Sequence, residues 1–519
     1  MQGAARASTM HLPFTAFSQR LSNCGLNLKP LIYLFILAAS PLIAGDGYGP
    51  SGRVPPPVQR ELRGVWIASV GNIDWPSTNG LNTSQQKAEL TSLFDRAVEL
   101  RLNTVIFQVR PACDALYSSS LEPWSEYLTG TMGRPPEPLY DPLAFAIAEA
   151  HRRGLELHAW FNPFRARHLM AKSPIASSHV SRTHPEWVVH YGKSLWLDPG
   201  QKGARQYSLK VILDVVRRYD IDGVHLDDYF YPYKEQNAAG QDLEFPDWGS
   251  WRKFGAGGKL SRDDWRRENV NVFVHELYQS IKAAKPWVKF GISPFGIWRP
   301  GNPPQIKGLD AFEVLHADSR KWLEEGWVDY LAPQLYWSVA APETSFPVLL
   351  RWWAQQNPRG RLVCPGLNSY NAGRSWPTEE ILEQIRLARR QNGISGHIHF
   401  DSKALMRNGA LDAALQREVY SEPALIPATP WLARSDPPRP ELRLRSERES
   451  TILDWTVPNG PPVQTWLLQT QSRGKWTTQI LAGSERSMRF TQARPEVVAL
   501  TCVDRFGNAG PACVVEQKN

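Results

Sequence analysis

The chain has 519 residues, 42% hydrophobic and 21% charged, an ordinary globular composition with room for one large domain and a smaller one. Its net charge of +8 comes without a long Lys/Arg run and without a nucleic-acid-binding motif. That argues against nucleic acid and leaves an anionic polymer or a merely basic surface.

Residues 1–45 read as a secretory signal peptide or an uncleaved N-terminal anchor. Arg20 and Lys29 precede "PLIYLFILAASPLIAG", an uncharged run shorter than the about 20 residues of a spanning helix. The expected location is outside the cytoplasm, in the periplasm or cell envelope, with membrane contact only through this segment if it stays uncleaved. "LSNC", ending at Cys24, lies ahead of the apolar run and is not read as a lipid site. Residues 46–60 are rich in Gly and Pro and read as a linker.

From Glu61 onward, short apolar runs alternate with helical patterns. "RGVWIAS", "NTVIFQVRP", "LELHAWFNPF" and "IDGVHLDDYF" are the first four expected strands. "VKFGISPFG", "VDYLAPQLYW", "RLVCPGLNSY" and "ISGHIHFDS" are the next four. The helix "SQQKAELTSLFDRAVELR" has Ser84 as its expected cap, and Gly154 closes "DPLAFAIAEAHRRG". Eight strand–helix units predict an α/β fold, a (β/α)8 TIM-type barrel over residues 61–419. No Gly-rich phosphate loop follows the first strand, so a dinucleotide fold is disfavoured. Residues 420–440 form a Pro-rich linker. Seven short strand-like runs then predict a small β-sandwich, similar to fibronectin type III, over 441–519.

Four cysteines follow the leader: Cys113, Cys364, Cys502 and Cys513. Cys502 and Cys513 flank the turn "RFGNAG" and are open to pairing, with four free thiols as the alternative. No zinc-type spacing occurs, and neither a metal nor a cofactor is expected.

In a barrel, the carboxyl ends of the strands carry the chemistry. "DGVHLDDYFYPY" places Asp227 and Asp228 there. If Val224 and Leu226 face the helices, His225 and Asp227 face inward. Two carboxylates at a buried strand end are costly unless used or partnered. Asp227 pairing with Arg110 or a histidine, and Asp228 capping a turn, is the plain alternative. Glycosidic cleavage generally needs two carboxyl groups flanking one bond, and adjacent residues flank poorly. A second partner is therefore sought in "DALYSSSLEPWSEYLTG", where Glu122 and Glu126 bracket Trp124. Desolvation beside tryptophan would raise a glutamate pKa, as a general acid requires. Asp74 and Asp318 are weaker candidates. Other polar groups expected at strand ends are Gln108, Ser293, Gln334, Asn368, His397, His399 and Asp401. Arg110, Trp124, His158, Asn162, His225, Tyr229, Tyr336, Trp337 and Asp318 are the candidate substrate-binding residues.

"ELRGVWIASVGNIDWPS", "QVRPACDALYSSSLEPWSEYLTG", "GLELHAWFNPFRA", "DGVHLDDYFYPY", "DDWRRENVN", "FGISPFGIWR" and "DYLAPQLYW" resemble the family-ten-like glycosyl hydrolases, from about Glu61 to Met406. The resemblance is to the type that works at the division site. It implies a barrel glycoside hydrolase that cuts peptidoglycan glycan strands, preferentially strands stripped of stem peptides, with division-site envelope proteins as further partners. It also implies Glu122, Asp227 and Asp228 as the catalytic set, with Glu122 as general acid. The family carries glycine where this chain has Cys113, so the local turn is expected to differ. The competing readings are a non-catalytic glycan-binding protein of the envelope and a hydrolase of another polysaccharide. A metal-dependent deacetylase using "HIH" and "DD" is disfavoured, because two ligands at i and i+2 make an incomplete site.

Overall fold

Long apolar runs between amphipathic helices leave parallel strands as the doubly buried element. In the computed structural model, which describes residues 47–518 apart from 433–436, 448–449, 458–461 and 492–493, these strands close into a ring. The segment read as a signal or anchor, with Cys24, lies outside the described residues. Leu62–Ile67 pairs with Thr104–Arg110, and that strand with Glu156–Phe161, all parallel. Gly223–Leu226, Lys289–Ile292 and Tyr330–Leu331 follow in order. The seventh strand comes in two pieces around Cys364 and Pro365, a residue with no N–H to give a ladder. Leu362–Val363 pairs with the sixth strand, while Gly366–Asn368 pairs with the eighth, Gly396–Phe400. The eighth strand returns to the first and completes the expected (β/α)8 barrel.

The period of two sorts the side chains. Val65, Val105, Val224 and Leu226 pack outward under the helices, while Trp66, Ile106, Trp160, Tyr330 and Ile398 fill the interior. Helix Thr83–Glu99 is capped by Asn82, not by Ser84. Asn82 and Gln85 form a reciprocal capping box, each side chain accepting from the other's backbone N–H at 3.0 Å.

Part of the interior is a polar column. The Tyr330 hydroxyl lies 2.8 Å from Nδ1 of both His158 and His225. His158 Nε2 lies 3.1 Å from Glu156, whose other oxygen accepts from Lys289 at 2.5 Å. The column exists because Gly223 and Gly291 leave room for it. A Cβ at Gly223 would lie 2.6 Å from the His158 ring, and one at Gly291 would lie 1.9 Å from the Tyr330 ring.

After the barrel, all seven expected short strands form an antiparallel sandwich. Glu441–Glu447, Ser450–Thr456 and Ser487–Phe490 make one sheet. Thr465–Ser472, Lys475–Ala482, Val497–Val503 and Cys513–Gln517 belong to the other. The stretch read as a linker is corrected here: Tyr48–Pro50 pairs with Cys513–Gln517 as a further strand. Its Gly/Pro content hid the anchor, Tyr48, which is buried in the sandwich core and donates its hydroxyl to the Pro495 carbonyl. Cys502 and Cys513 are buried free thiols, as are Cys113 and Cys364.

The sandwich docks on the face where the barrel strands begin. Arg505 and Gln464 both reach Oδ1 of Asp222 at 3.1 Å, and Lys289 donates to the Arg505 carbonyl at 3.3 Å. No helix among the described residues is long and apolar enough to cross a membrane.

Candidate functional site

At the opposite end, where the strands finish, a cleft of about 250 Å³ opens between the loops. Its walls are aromatic: Trp66, Trp160, Tyr229, Tyr233, Tyr336 and Phe400. Its polar groups include Asp227, Asp228, Gln108, Arg165, Ser293 and Gln334. Flat apolar faces around a few convergent polar groups are what a sugar ring, apolar on its faces and polar at its edges, requires.

Asp227 continues the inward register of His225. Its Oδ2 accepts from Trp160 Nε1 at 3.1 Å and from the Asn162 amide, and its Oδ1 accepts from the Tyr229 N–H at 3.2 Å. Asn162 is itself held, since its Oδ1 accepts from Gln108 at 2.9 Å and from Arg165. Gln108 in turn accepts the N–H groups of Ser69 and Val70, both at 2.9 Å. The carboxylate is thus fixed by a chain of hydrogen bonds from three strand ends. Burial raises its pKa, against the pull of Arg165 and these donors.

Asp228 has fewer donors. Tyr233 donates its hydroxyl to Oδ2, and Gln334 adds a side-chain bond. Burial, then the charge of Asp227, pushes Asp228 up to about 6. As an anion Asp227 receives more hydrogen bonds than Asp228, so a proton held between the two neighbouring carboxyls sits more readily on Asp228.

His225 lies below as floor. Its Nε2 sits 3.0 Å from both Trp66 Nε1 and Ser293 Oγ, and burial, with His158 nearby, holds the ring neutral. It orients the cleft and does not line it. His158 and Asn162 likewise support the cleft from beneath. Tyr229 and Tyr336 do line it, with the Arg165 guanidinium 4.8 Å from the Tyr229 ring centroid.

Glu122 does not sit among the cleft-lining residues. Its side chain is fully buried against Arg110, which is equally buried. Arg110 donates Nη2 to Oε1 at 2.6 Å and Nε to Oε2 at 2.9 Å. Nη1 of Arg110 also holds the Asn162 and Pro163 carbonyls at 2.6 and 3.1 Å. The pair clamps the loop after the second strand to the end of the third, which positions Asn162. Neither residue lines the cleft. Cys113, in the same loop, adopts φ 53°, the left-handed region glycine favours, with its sulfur 3.2 Å from Arg110 Nη2. Trp124 packs half-buried on the core, and Glu126 accepts the N–H groups of Lys172 and Ser173. Trp337 packs edge-on against Phe295. Asp318 caps helix Ser319–Glu324. None of these lines the cleft.

His397 and His399 were expected at the mouth. Phe400 is the cleft residue of the eighth strand, so by alternation both histidines face outward and bond the Tyr420 hydroxyl. They share no site with Asp227. Trp66, Trp160, Arg165, Tyr233 and Phe400 were missed. Trp66 and Trp160 were legible, since both fall on inward positions near a strand end.

Residues 61–379 match the family model described as glycosyl hydrolase-like 10. The chain is 45% identical over 409 residues to Glycosyl hydrolase YngK of Bacillus subtilis, covering 76% of this chain and 79% of that one. It is 35% identical over 388 residues to Glycosyl hydrolase DigH of Escherichia coli, covering 68% of this chain and 86% of that one. Among solved structures, the PgaB (BpsB) glycoside hydrolase domain from Bordetella bronchiseptica matches at a TM-score of 0.45 and 13% identity, over 69% of this chain and 98% of that one.

Proposed function

From the premise that the chain belongs to the glycosyl hydrolase-like 10 family and is a glycoside hydrolase, we propose that it cleaves glycan strands of peptidoglycan, preferentially strands stripped of stem peptides. The observation that carries the chemistry is the unequal pair Asp227 and Asp228 in an aromatic cleft. Asp228, pushed up to about 6, keeps a proton available near neutral pH and delivers it to the leaving glycosidic oxygen. Asp227, held by Trp160, Asn162 and the Tyr229 N–H, acts as an anion that stabilises the positive charge developing on the sugar until a water molecule adds to that carbon and returns a proton to Asp228. Trp66, Tyr229 and Tyr336 hold the ring. This replaces Glu122 as general acid.

The basic net charge suits a strand that carries lactyl carboxylates. The leader-like residues 1–45 support an exported enzyme of the periplasm or envelope, where division-site proteins are its neighbours. The fibronectin type III-like sandwich then serves as a spacer.

Mass spectrometry of products from amidase-treated and untreated peptidoglycan tests this reading. Short glycan fragments from treated material, absent with Asp228→Asn and Asp227→Asn, are expected. No fragments from either material, with the protein still cosedimenting with glycan, would leave a glycan-binding protein instead.

A further inference from the structure

The loops after the seventh and eighth strands enclose a second hollow, of about 510 Å³. Arg374, Lys403 and Arg407 line it, and no Asp or Glu does. Among the described residues none of the three forms an ion pair. Arg374 donates to the Tyr370 hydroxyl at 3.1 Å, and Lys403 donates to the Ile73 carbonyl at 2.8 Å. Asp401, behind this wall, feels the charges of both Lys403 and Arg374 and offsets part of their repulsion. Arg407 adds a third positive charge on the same concave surface, and an anion of the right size relieves what remains.

The wall is built rather than incidental. Asn408 donates to the Ala372 carbonyl at 2.9 Å and accepts the Leu411 N–H at 3.0 Å. Gly373, at φ +72°, passes close to it, and a Cβ there would lie 3.3 Å from the Asn408 amide. Asp74 accepts the Lys403 N–H at 2.9 Å and the Ala68 N–H at 2.7 Å, tying this wall to the first strand. Tyr370 is 44% exposed on the same wall, with the Arg374 guanidinium 4.1 Å from its ring centroid. The hollow adjoins the cleft, because Ile73, which receives the Lys403 bond, also lines the cleft. Loops after strands seven and eight are also where barrels of this kind commonly build anion sites.

We propose that this hollow is a subsite for a carboxylate-bearing sugar of the strand being cut, with Arg374 and Arg407 on the carboxylate and Tyr370 against the ring. The inference rests on the glycan reading of the cleft and adds what that reading lacks, a reason for the enzyme to choose acidic strands over neutral ones. Arginine recognises a carboxylate through paired N–H donors, so the preference is for charge and shape together.

The test measures binding by titration calorimetry in the full chain carrying Asp228→Asn. The two ligands are peptide-free glycan strands, native or with their carboxyl groups reduced to alcohols. The native strands are expected to bind about tenfold more tightly, by the arithmetic of one good charged contact. In the Arg374→Ala/Arg407→Ala variant that ratio falls towards one, and in Arg374→Lys/Arg407→Lys it is partly restored. Melting curves within a degree or two of the parent's show that the wall still folds. An equal affinity for both ligands, a ratio unchanged by the double variant, or no binding of native strands overturns the subsite. A phosphate-bearing wall polymer that binds better still, through the same two arginines, overturns the carboxylate assignment. If native strands bind with the expected ratio but active protein never cuts them, the proposed substrate fails and the subsite stands.

Discussion

The carboxylate of Glu122 lies against the guanidinium of Arg110, with Oε1 2.6 Å from Nη2 and Oε2 2.9 Å from Nε, and neither side chain is exposed. Breaking a buried pair from one side leaves the other charge without its partner, at a cost of about 3–5 kcal/mol. Glu122→Gln is therefore expected to lower the melting temperature by many degrees. The surviving folded fraction should retain the parent's pH–rate profile. A variant of normal stability whose profile has lost its alkaline limb would restore Glu122 to the chemistry.

Asp228→Asn should lower kcat/KM by a factor of about 10²–10⁴, the usual weight of a general acid. In the parent, kcat/KM should fall as pH rises through the apparent value of the pair, near Asp228's value of about 6. An alkaline limb that persists unchanged in the variant would exclude Asp228 as the proton donor.

The same residue should limit stability. Its carboxyl is raised from 3.8 to about 6 by burial and by Asp227, so the folded state binds its proton more tightly than the unfolded chain does. Stability is then greatest below the unfolded value and is lost as pH rises through the folded one. The cost is fully present once pH exceeds the folded value of about 6. Asp228→Asn removes it, so calorimetry should show the variant more stable than the parent at neutral pH, with the gap closing towards pH 4. A gap that widens on acidification would mean the carboxyl is not raised.

Tyr330→Phe should cost about 1–3 kcal/mol in urea unfolding, because both His158 and His225 lose the hydroxyl that lies 2.8 Å from each. Gly291→Ala should not accumulate as folded protein, since its Cβ would lie 1.9 Å from the Tyr330 ring. A stable Gly291→Ala protein would mean that the tyrosine has another place to go.

Arg505→Ala removes one of the groups that hold down the Asp222 carboxyl. Burial would raise that carboxyl, but His151 and Arg505 together keep it well below the usual carboxylate range. That contribution is present above the unfolded value and lost on acidification. The variant should lose about 1–3 kcal/mol at neutral pH, with the deficit shrinking below about pH 3, while kcat is unaffected. A drop in kcat would show that the sandwich influences the mouth from below.

The barrel was legible because its signals are local. Apolar runs alternate with amphipathic helices, and the outward positions of Val224 and Leu226 place His225 and Asp227 inside by simple alternation. The sites that misled are those where the deciding partner is remote in sequence. Glu122 beside Trp124 looks desolvated, and it is, but Arg110 has folded back onto it. His397 and His399 look like strand-end ligands until the register of the eighth strand, with Ile398 inside, turns them towards Tyr420. Tyr48 looks like part of a tether until the last strand of the chain arrives beside it.

That last pairing has a mechanical consequence. Tyr48–Pro50 is stitched to Cys513–Gln517, and the sandwich sits on the underside of the barrel through Asp222 and Arg505. A pull on the chain ahead of Gly47 is therefore borne by backbone hydrogen bonds in the sandwich, at the far end from the cleft. Tension there strains none of the loops that hold Asp227 and Asp228.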